Sequence, residues 1–322
     1  MEVYIINKNG SVKISELVVN ATLDGEYRNC CRTLDLSILN SPWDKAIPKV
    51  NIELGYNIKL TEGNTTLFYG VVWSKDKNTD TNTLEIGCKD FGIYLNKNSY
   101  SYKFNNIKPQ DVVKRVCNDF GIKIGNIATT SKSITRNFIN CNLYDIIMSS
   151  YKLSNSGKYM AIFRENKLDI IKKGEVYASK QILTGVNLIS SSVSESLDEM
   201  VNRIKVFNKD DKLIDTIENK NDVSLYGILS EVYKQRDDSN YKTEAKSKLQ
   251  SIDRKIKVSN LGDPTFITGK VVIVEEPYTK LKGKFYIDAD THTWDSNSIY
   301  KNSITLNFQN LWDEKESGSE VK

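Results

Sequence analysis

The chain has 322 residues, of which 39% are hydrophobic and 27% are charged, and its 45 basic and 41 acidic side chains leave a formal net charge of +4. This composition predicts a folded protein of two domains, or of one core with large insertions. Because charges of both signs are mixed along the chain, no specific nucleic-acid ligand is predicted, and pairs such as Lys172-Lys173 are interpreted as solvated faces.

The number and spacing of the cysteines and the length of the apolar runs indicate the cellular compartment in which the chain folds. The cysteines are odd in number and lack the spacing of a disulfide framework, which favours folding in a reducing cytoplasm. Neither a signal peptide nor a membrane anchor is predicted, because no apolar run approaches the roughly 18 residues that a membrane span needs. The five cysteines are Cys30, Cys31, Cys88, Cys117 and Cys141.

The first part of the chain shows the period-two alternation of β-strands. Apolar residues alternate without a break over residues 50–60, which predicts one continuous strand with a buried face. The aromatic run 67–73 predicts another strand, a polar loop is expected at residues 75–82, and residues 84–88 form the return strand. Many short strands with close turns predict a first β-barrel domain at residues 1–97.

An inserted α/β domain is predicted at residues 98–184. Pro109 stands where a helix begins, apolar residues follow it at helical spacing, and Gly121 stands at the expected stop. A second amphipathic helix is predicted at residues 143–153, and a β-hairpin is predicted at residues 159–171.

The C-terminal part is predicted to be mostly β again. A second β-barrel domain is predicted at residues 185–208 and 258–310, and a strand at residues 202–207 is expected to enter it. The tail, residues 311–322, is charged and small, and it is expected to be flexible and to fray.

A charged excursion interrupts the second barrel at residues 209–257. It is predicted to contain a hairpin and one clear helix at residues 238–253, with Ser239 as the N-cap.

Two distant segments share one plan. Residues 67–88 and 285–308 each read as an aromatic strand, a polar loop and an alternating return strand. This similarity suggests an internal repeat, in which case the chain holds two related barrels, one at each end.

The residue types that carry catalysis are sparse. His292 is the only histidine, which excludes multi-histidine metal sites. Asp288, Asp290 and His292 alternate along a predicted strand, so they could share a face that grips a metal ion. The alternative is a polar strand face beside Trp294 in which His292 makes ordinary hydrogen bonds.

Other enzyme signatures are missing. No cysteine lies in a nucleophile motif, adjacent carboxylates such as Glu275-Glu276 face opposite ways in a strand, and there is no phosphate-binding glycine motif. No catalytic, cofactor-binding or metal-binding residue is therefore predicted, no cofactor is expected, and the protein is not expected to be an enzyme.

Taken in order, several segments carry a resemblance to a known family. They are residues 67–72, 84–90, 94–95, 109–113, 201–206, 226–227, 245–249, 269–274 and 283–287, with His292 and Leu306. In this order the chain resembles the tail baseplate hub proteins of contractile phages. It is most similar to the XkdQ/YqbQ-like proteins, of the late control gene D type, of defective prophages and R-type bacteriocins. Only turn glycines and core alternation match, so no active residue is carried over.

The resemblance implies a mainly β fold with α+β insertions. Two tube-type β-barrel domains are expected, with a small α/β domain and a helix-containing excursion. It also implies a homotrimer, whose six barrels form a ring that joins a sixfold tail tube to a trimeric spike.

The resemblance also implies partners and a location. The expected partners are the tail tube protein, the spike protein and other baseplate proteins, with the tape measure protein as a further candidate. Neither a specific nucleic acid nor a membrane anchor is expected. The expected location is the baseplate of a virion or tail-like particle that assembles in the bacterial cytoplasm and is released by lysis.

Two other functions stay open at this point. One is a tail-associated peptidoglycan hydrolase of the glycosidase or peptidase type, and the other is a carbohydrate-binding adhesin module. The sequence does not separate a phage from a bacteriocin.

Overall fold

The computed structural model of the chain describes residues 1–41, 43–78, 82–235 and 240–321. Strands dominate it, which confirms the predicted fold class, mainly β with α/β insertions. The chain divides into two compact units, Met1–Ser191 with Lys257–Lys322, and Ser192–Ile256.

The N-terminal part of the first unit is a set of antiparallel strands around one apolar core. The strands are β1 (Glu2–Asn7), β2 (Gly10–Lys13), β3 (Val18–Glu26), β4 (Thr33–Leu39), β5 (Asn57–Glu62), β6 (Thr65–Asn78) and β7 (Thr83–Asp90). Their hydrogen-bonded order is β3-β4-β7-β6-β5-β1-β2. Alternate residues, among them Leu23, Leu34 and Ile58, are fully buried, as a sheet with one apolar face requires. We call β3 to β7 the first repeat.

Two boundaries in the first repeat differ from the prediction. The continuous strand expected over residues 50–60 is wrong, because strand β5 begins only at Asn57. Gly55 has a φ of +86°, which only glycine adopts readily, and it turns the chain before the strand. The polar loop expected at residues 75–82 is also wrong in part, because β6 continues to Asn78 and pairs with β7; residues 79–81 lie outside the described residues.

The α/β insertion follows the first repeat, and its two long helices and its hairpin confirm the elements predicted there. It contains α1 (Ile93–Lys97), β8 (Ser99–Ile107), α2 (Pro109–Asp119), β9 (Lys123–Ile127), β10 (Ile134–Asn142), α3 (Leu143–Ser154), β11 (Tyr159–Arg164) and β12 (Lys167–Lys172). Pro109 occupies the first turn of α2, and Gly121, with a φ of +64°, follows its end. Val112, Val116 and Ile147 from the two long helices are fully buried in one core.

The second unit corrects the assignment of one strand. After β13 (Ile182–Leu183) and β14 (Leu188–Ser196), this unit contains β15 (Arg203–Phe207), β16 (Leu213–Glu218), α4 (Lys220–Tyr226), β17 (Ser230–Lys234) and α5 (Tyr241–Ser247). The strand expected to enter the second barrel, β15, instead forms the centre of a small sheet of order β16-β15-β17. Its Ile204 and Val206 are fully buried with Tyr233 and Ala245.

Helix α5 is shorter than the helix predicted at residues 238–253. It ends at Ser247, because Gln250 leaves the helix to form a two-bonded bridge with Val201. Asp238 and the predicted cap Ser239 lie outside the described residues.

The C-terminal strands reproduce the plan of the first repeat. They are β18 (Asp253–Leu261), β19 (Val271–Glu276), β20 (Leu281–Trp294) and β21 (Tyr300–Asn307). With β14 they run in the order β14-β18-β21-β20-β19, which corresponds strand by strand to β3-β4-β7-β6-β5. We call β14 and β18 to β21 the second repeat.

Four of the five corresponding strand pairs agree in length, the exception being β4 with seven residues against nine in β18, and both long hairpins carry a register shift. Strands β3 and β14 have nine residues each, β5 and β19 six, β6 and β20 fourteen, and β7 and β21 eight. A register shift interrupts the long hairpin at Val72/Ser74 in the first repeat and at Ile287/Ala289 in the second. The internal similarity suggested by the sequence therefore reflects one shared strand plan. The domain boundaries given above stay a prediction.

The C-terminal tail does not fray, which corrects the prediction for residues 311–322 as far as residue 321. It lies across the insertion, where the Tyr144 hydroxyl donates to Asp313 over 2.9 Å. Ser319 and Asn137 exchange two backbone hydrogen bonds. A charged composition therefore does not make this segment a free tail, because it is held by contacts with the insertion. Within the described residues, no helix has the length and apolar character to cross a membrane.

Candidate functional site

The two repeats join edge to edge in one continuous sheet. Strand β3 of the first repeat pairs antiparallel with β20 of the second, and the register places Leu23 opposite His292 and Asp24 opposite Thr291. At this joint the Thr291 hydroxyl donates to an Asp24 carboxylate oxygen over 2.5 Å. The described chain places most of its buried charge beside this joint, which is therefore the candidate functional site.

An ion pair between Arg32 and Asp290 lies at the centre of the joint. Two nitrogens of the Arg32 guanidinium bind the two carboxylate oxygens of Asp290, which is completely buried. Gly25, opposite Asp290, leaves room for this contact, because a Cβ there would lie 2.7 Å from an Arg32 nitrogen. A bidentate pair of this kind fixes geometry as well as charge.

Asp290 is saturated with donors. The backbone N–H of Thr268 donates to it over 2.6 Å, and the Thr268 hydroxyl donates over 2.6 Å. Burial alone would raise the pKa of Asp290, but the charge of Arg32 and the contact with His292 outweigh burial and hold that pKa well below its ordinary value. Asp290 is therefore a fixed anion and not a proton acceptor for catalysis.

His292 is a fully buried member of the same network. Its Nδ1 lies 2.9 Å from the amide nitrogen of Asn302 and 2.6 Å from the Tyr300 hydroxyl. Because an amide nitrogen only donates, Nδ1 is the acceptor and the proton is assigned to Nε2. This Nε2 lies 3.1 Å from Asp290, at an angle outside hydrogen-bond geometry, so we treat the contact as electrostatic. His292 therefore makes ordinary hydrogen bonds within the sheet, as one of the two interpretations of the sequence proposed.

Asp288 does not share the face of Asp290 and His292. The register shift between Ile287 and Ala289 falls on it and breaks the alternation that the sequence suggested. Its carboxylate instead lies 2.5 Å from the ammonium of Lys173, which also lies 4.5 Å above the ring of Tyr27. Asp288, Asp290 and His292 therefore do not form the shared face considered from the sequence.

Lys173 corrects another interpretation, since it is buried and not part of a solvated face. Burial lowers the pKa of Lys173 and raises the pKa of Asp288, because both groups lose hydration, although each charge opposes the shift of the other. This pair connects the end of strand β12 with the second repeat.

A cavity of about 350 Å³ lies beside the joint. Its walls are mostly apolar, from β6, β11 and the loop before β19, and Arg32 and Asp90 reach it. Burial raises the pKa of Asp90 to about 7, and one of its oxygens has no hydrogen-bond partner among the described residues. No nucleophile and base are paired in these walls.

The joint holds its polar side chains in contacts with each other. Its charged groups are matched to each other, and the described residues hold no group of three potential ligands placed for a metal ion. Burial raises the pKa of the Cys117 thiol to about 12 and that of Cys88 further, so neither is a ready thiolate nucleophile.

Sequence reasoning identified only part of this site. The alternation of Asp290 and His292 was visible, but Arg32 lies 258 residues away from Asp290 and no local pattern connects them. The repeat was the one usable signal, because a shared strand plan implies that the edge of one repeat can meet the other.

Comparison with known proteins gives consistent relatives. The chain is 23% identical over 325 residues to the uncharacterized protein YqbQ of Bacillus subtilis (strain 168), covering 94% of this chain and 98% of that protein. It is 25% identical over 292 residues to the phage-like element PBSX protein XkdQ of the same organism, covering 86% of this chain and 89% of that protein.

A solved structure extends the comparison to the fold. The 43 kDa tail protein of prophage MuSo2 from Shewanella oneidensis superposes with a TM-score of 0.74 at 13% identity, covering 99% of both chains. This likeness shows a shared fold. The YQBQ-like family matches residues 21–307, which is most of the chain, and the chain therefore belongs to the YQBQ-like family.

Proposed function

We propose that this protein is a structural baseplate hub of a contractile phage tail or tail-like bacteriocin. In this role it forms a trimeric ring that joins the sixfold tail tube to a trimeric spike. The partners are the tube protein, the spike protein and other baseplate proteins, with the tape measure protein as a further candidate. The particle assembles in the bacterial cytoplasm and is released by lysis.

One observation carries the proposal, namely the two matched repeats joined edge to edge within one chain. Three copies then present six similar repeats while keeping true threefold symmetry, so that one ring faces a sixfold part and a threefold part. A chain with a single repeat would need six copies to do the same.

The relatives support this role. One is named for a phage-like element, and the structure that shares this fold over its whole length is a prophage tail protein. The proposed role is not enzymatic, and it agrees with a joint in which Arg32 binds the Asp290 carboxylate and Asn302 donates to the His292 imidazole. Clearing of peptidoglycan by the purified protein would contradict it.

The oligomeric state tests the proposal. Size-exclusion chromatography with light scattering at micromolar concentration should give the mass of three chains, because an obligate ring interface buries a large area. Electron microscopy of the same sample should show threefold rings. A monomer across this concentration range would contradict the ring.

A further inference from the structure

The sheet that contains both repeats ends in strand edges with no partner in the described part of the chain. Among the described residues, strand β14 pairs only with β18. Strand β6 pairs with β5 up to Val71, and beyond the register shift its outer half, Ser74 to Asn78, has β7 as its only partner strand in the described ranges. Ser74, Asp76 and Lys77 are exposed there. Such edges invite pairing with another chain.

Each of these edges has a counterpart that is occupied inside the chain. Strand β14 corresponds to β3, and the outer half of β6 corresponds to the part of β20 that pairs with β3. The internal joint pairs the edge of β3 with the edge of β20. The corresponding edges of β14 and of the outer half of β6 are a second, matching pair. We propose that β14 of one copy pairs antiparallel with the outer half of β6 of a second copy. This inference rests on the proposed ring, and it names the strands that close it.

The repeats also define the register of this pairing on the β6 side. When β6 and β20 are aligned at their register shifts, Ser74 is equivalent to Ala289. Lys75 is then equivalent to Asp290, and Asp76 is equivalent to Thr291.

For the other strand of the proposed pair, β14 is aligned with β3, which has the same length. This alignment makes Ser194 equivalent to Asp24 and Glu195 equivalent to Gly25.

A second contact supports this alignment. The Asn40 N–H donates to the Asn82 carbonyl at the end of β4, and the Gly262 N–H donates to the Tyr300 carbonyl at the end of β18. Asn40 and Gly262 are therefore equivalent positions, and counting back along both strands makes Arg32 equivalent to Arg254. Arg32 lies against Gly25, and Arg254 likewise forms an ion pair with Glu195 over 2.5 Å.

The predicted register brings complementary groups together. Asp76 lies opposite Ser194, which repeats the hydroxyl–carboxylate contact of Thr291 with Asp24, with the two partners exchanged between the strands. Lys75 lies opposite Glu195, so that opposite charges face each other across the strands. Within the chain the Lys75 ammonium already binds Glu53 over 2.7 Å, and Glu195 already binds Arg254, so the new pair joins two existing ion pairs.

A shift of two residues would place Asp76 opposite Ser192 or Ser196 and keep a hydroxyl beside its carboxylate. The same shift would, however, place Lys75 opposite Val193 or Leu197. The match of Lys75 with Glu195 therefore gives the pairing its register.

A disulfide cross-link tests the pairing. The double variant Asp76→Cys/Ser194→Cys is purified under reducing conditions, checked by light scattering, and then oxidised. We expect covalent dimers and trimers on a non-reducing gel, because residues directly opposite in an antiparallel pair have the spacing that a disulfide needs. The matched control is Asp76→Cys/Ser192→Cys, in which the second cysteine replaces another exposed serine of β14, two residues out of register.

The outcomes separate this inference from the ring itself. A trimer that forms no cross-link, or one that cross-links equally in the control, overturns the β14·β6 pairing and leaves the ring standing. A protein that is monomeric before oxidation overturns the ring, and the pairing with it.

Discussion

Two buried aspartates of the first unit show how the same side chain serves opposite electrostatic roles. Asp290 is paired with Arg32, and its pKa lies well below the ordinary value. Asp90 accepts a hydrogen bond from the Gly92 N–H over 2.8 Å, but burial still raises its pKa to about 7. The first stabilises the folded protein as an anion, whereas the second stabilises it best when protonated.

Asp90 should make stability depend on pH. Because its folded pKa lies above its unfolded value, its contribution is fully present below about pH 4 and is lost as the pH rises through about 7. For Asp90→Asn, we expect the difference in free energy of unfolding between variant and wild type to rise by about 2–3 kcal/mol from pH 5 to pH 8, in favour of the variant. Urea denaturation at the two pH values measures it.

Asp44 provides the matched control for this prediction. It is exposed, and it accepts a hydrogen bond from the Ala46 N–H over 2.8 Å, the same local turn that Asp90 makes. Asp44→Asn should leave the pH dependence unchanged. A parallel pH profile for Asp90→Asn and wild type would show that Asp90 is ionised at neutral pH.

At the scale of elements, local patterns predicted those structures whose cause is local. Helix α2 follows from Pro109, from the spacing of Val112 and Val116, and from Gly121, all within a few turns. The same holds for α3 and for the hairpin β11–β12. In each case one amphipathic face and one pair of end signals are enough to specify the element.

Elements specified by strand pairing were predicted poorly, even where the partner is the next strand. The polar residues from Lys75 to Asn78 look like a loop, yet they form a strand because β7 pairs with them. Likewise β15 alternates like a strand of a barrel, but its partners β16 and β17 place it in the second unit. The choice of partner depends on contacts between strands, which the pattern of one strand does not contain.

The C-terminal tail is also ordered by contacts with another part of the chain, the α/β insertion. Trp312 packs against the core of the insertion, with its ring 6.4 Å from that of Tyr159, and Lys152 forms an ion pair with Glu316 over 2.9 Å. These contacts explain why a charged segment lies ordered on α3 and β10.

Removing the aromatic anchor should release the tail. We expect Trp312→Ala to lower the free energy of unfolding by about 1–3 kcal/mol, because the indole is only half-buried, and to make residues 311–321 sensitive to protease. Chemical denaturation and limited proteolysis measure the two effects. Glu314→Ala, at an exposed position in the same segment, should change neither. Unchanged proteolysis in Trp312→Ala would show that backbone pairing alone holds the tail.

At the scale of the whole molecule, the two repeats are not independent bodies. Trp294 of the second repeat is buried in the core of the first, where its indole N–H donates to Glu62 over 2.9 Å. The ring of Tyr300 stacks on it with the centroids 4.5 Å apart. The joint between β3 and β20 therefore shares side chains as well as backbone hydrogen bonds.

This shared core predicts one cooperative unit. Trp294→Ala should lower the free energy of unfolding by about 3–5 kcal/mol, because it leaves a large cavity and removes the hydrogen bond from the indole to Glu62. Hydrogen exchange should then show equal loss of protection in β5 of the first repeat and β19 of the second. Trp43→Ala, at a side chain that is 86% exposed, should leave both strands protected. Loss of protection in β19 alone would mean that the repeats unfold separately and that the joint is an interface between two domains.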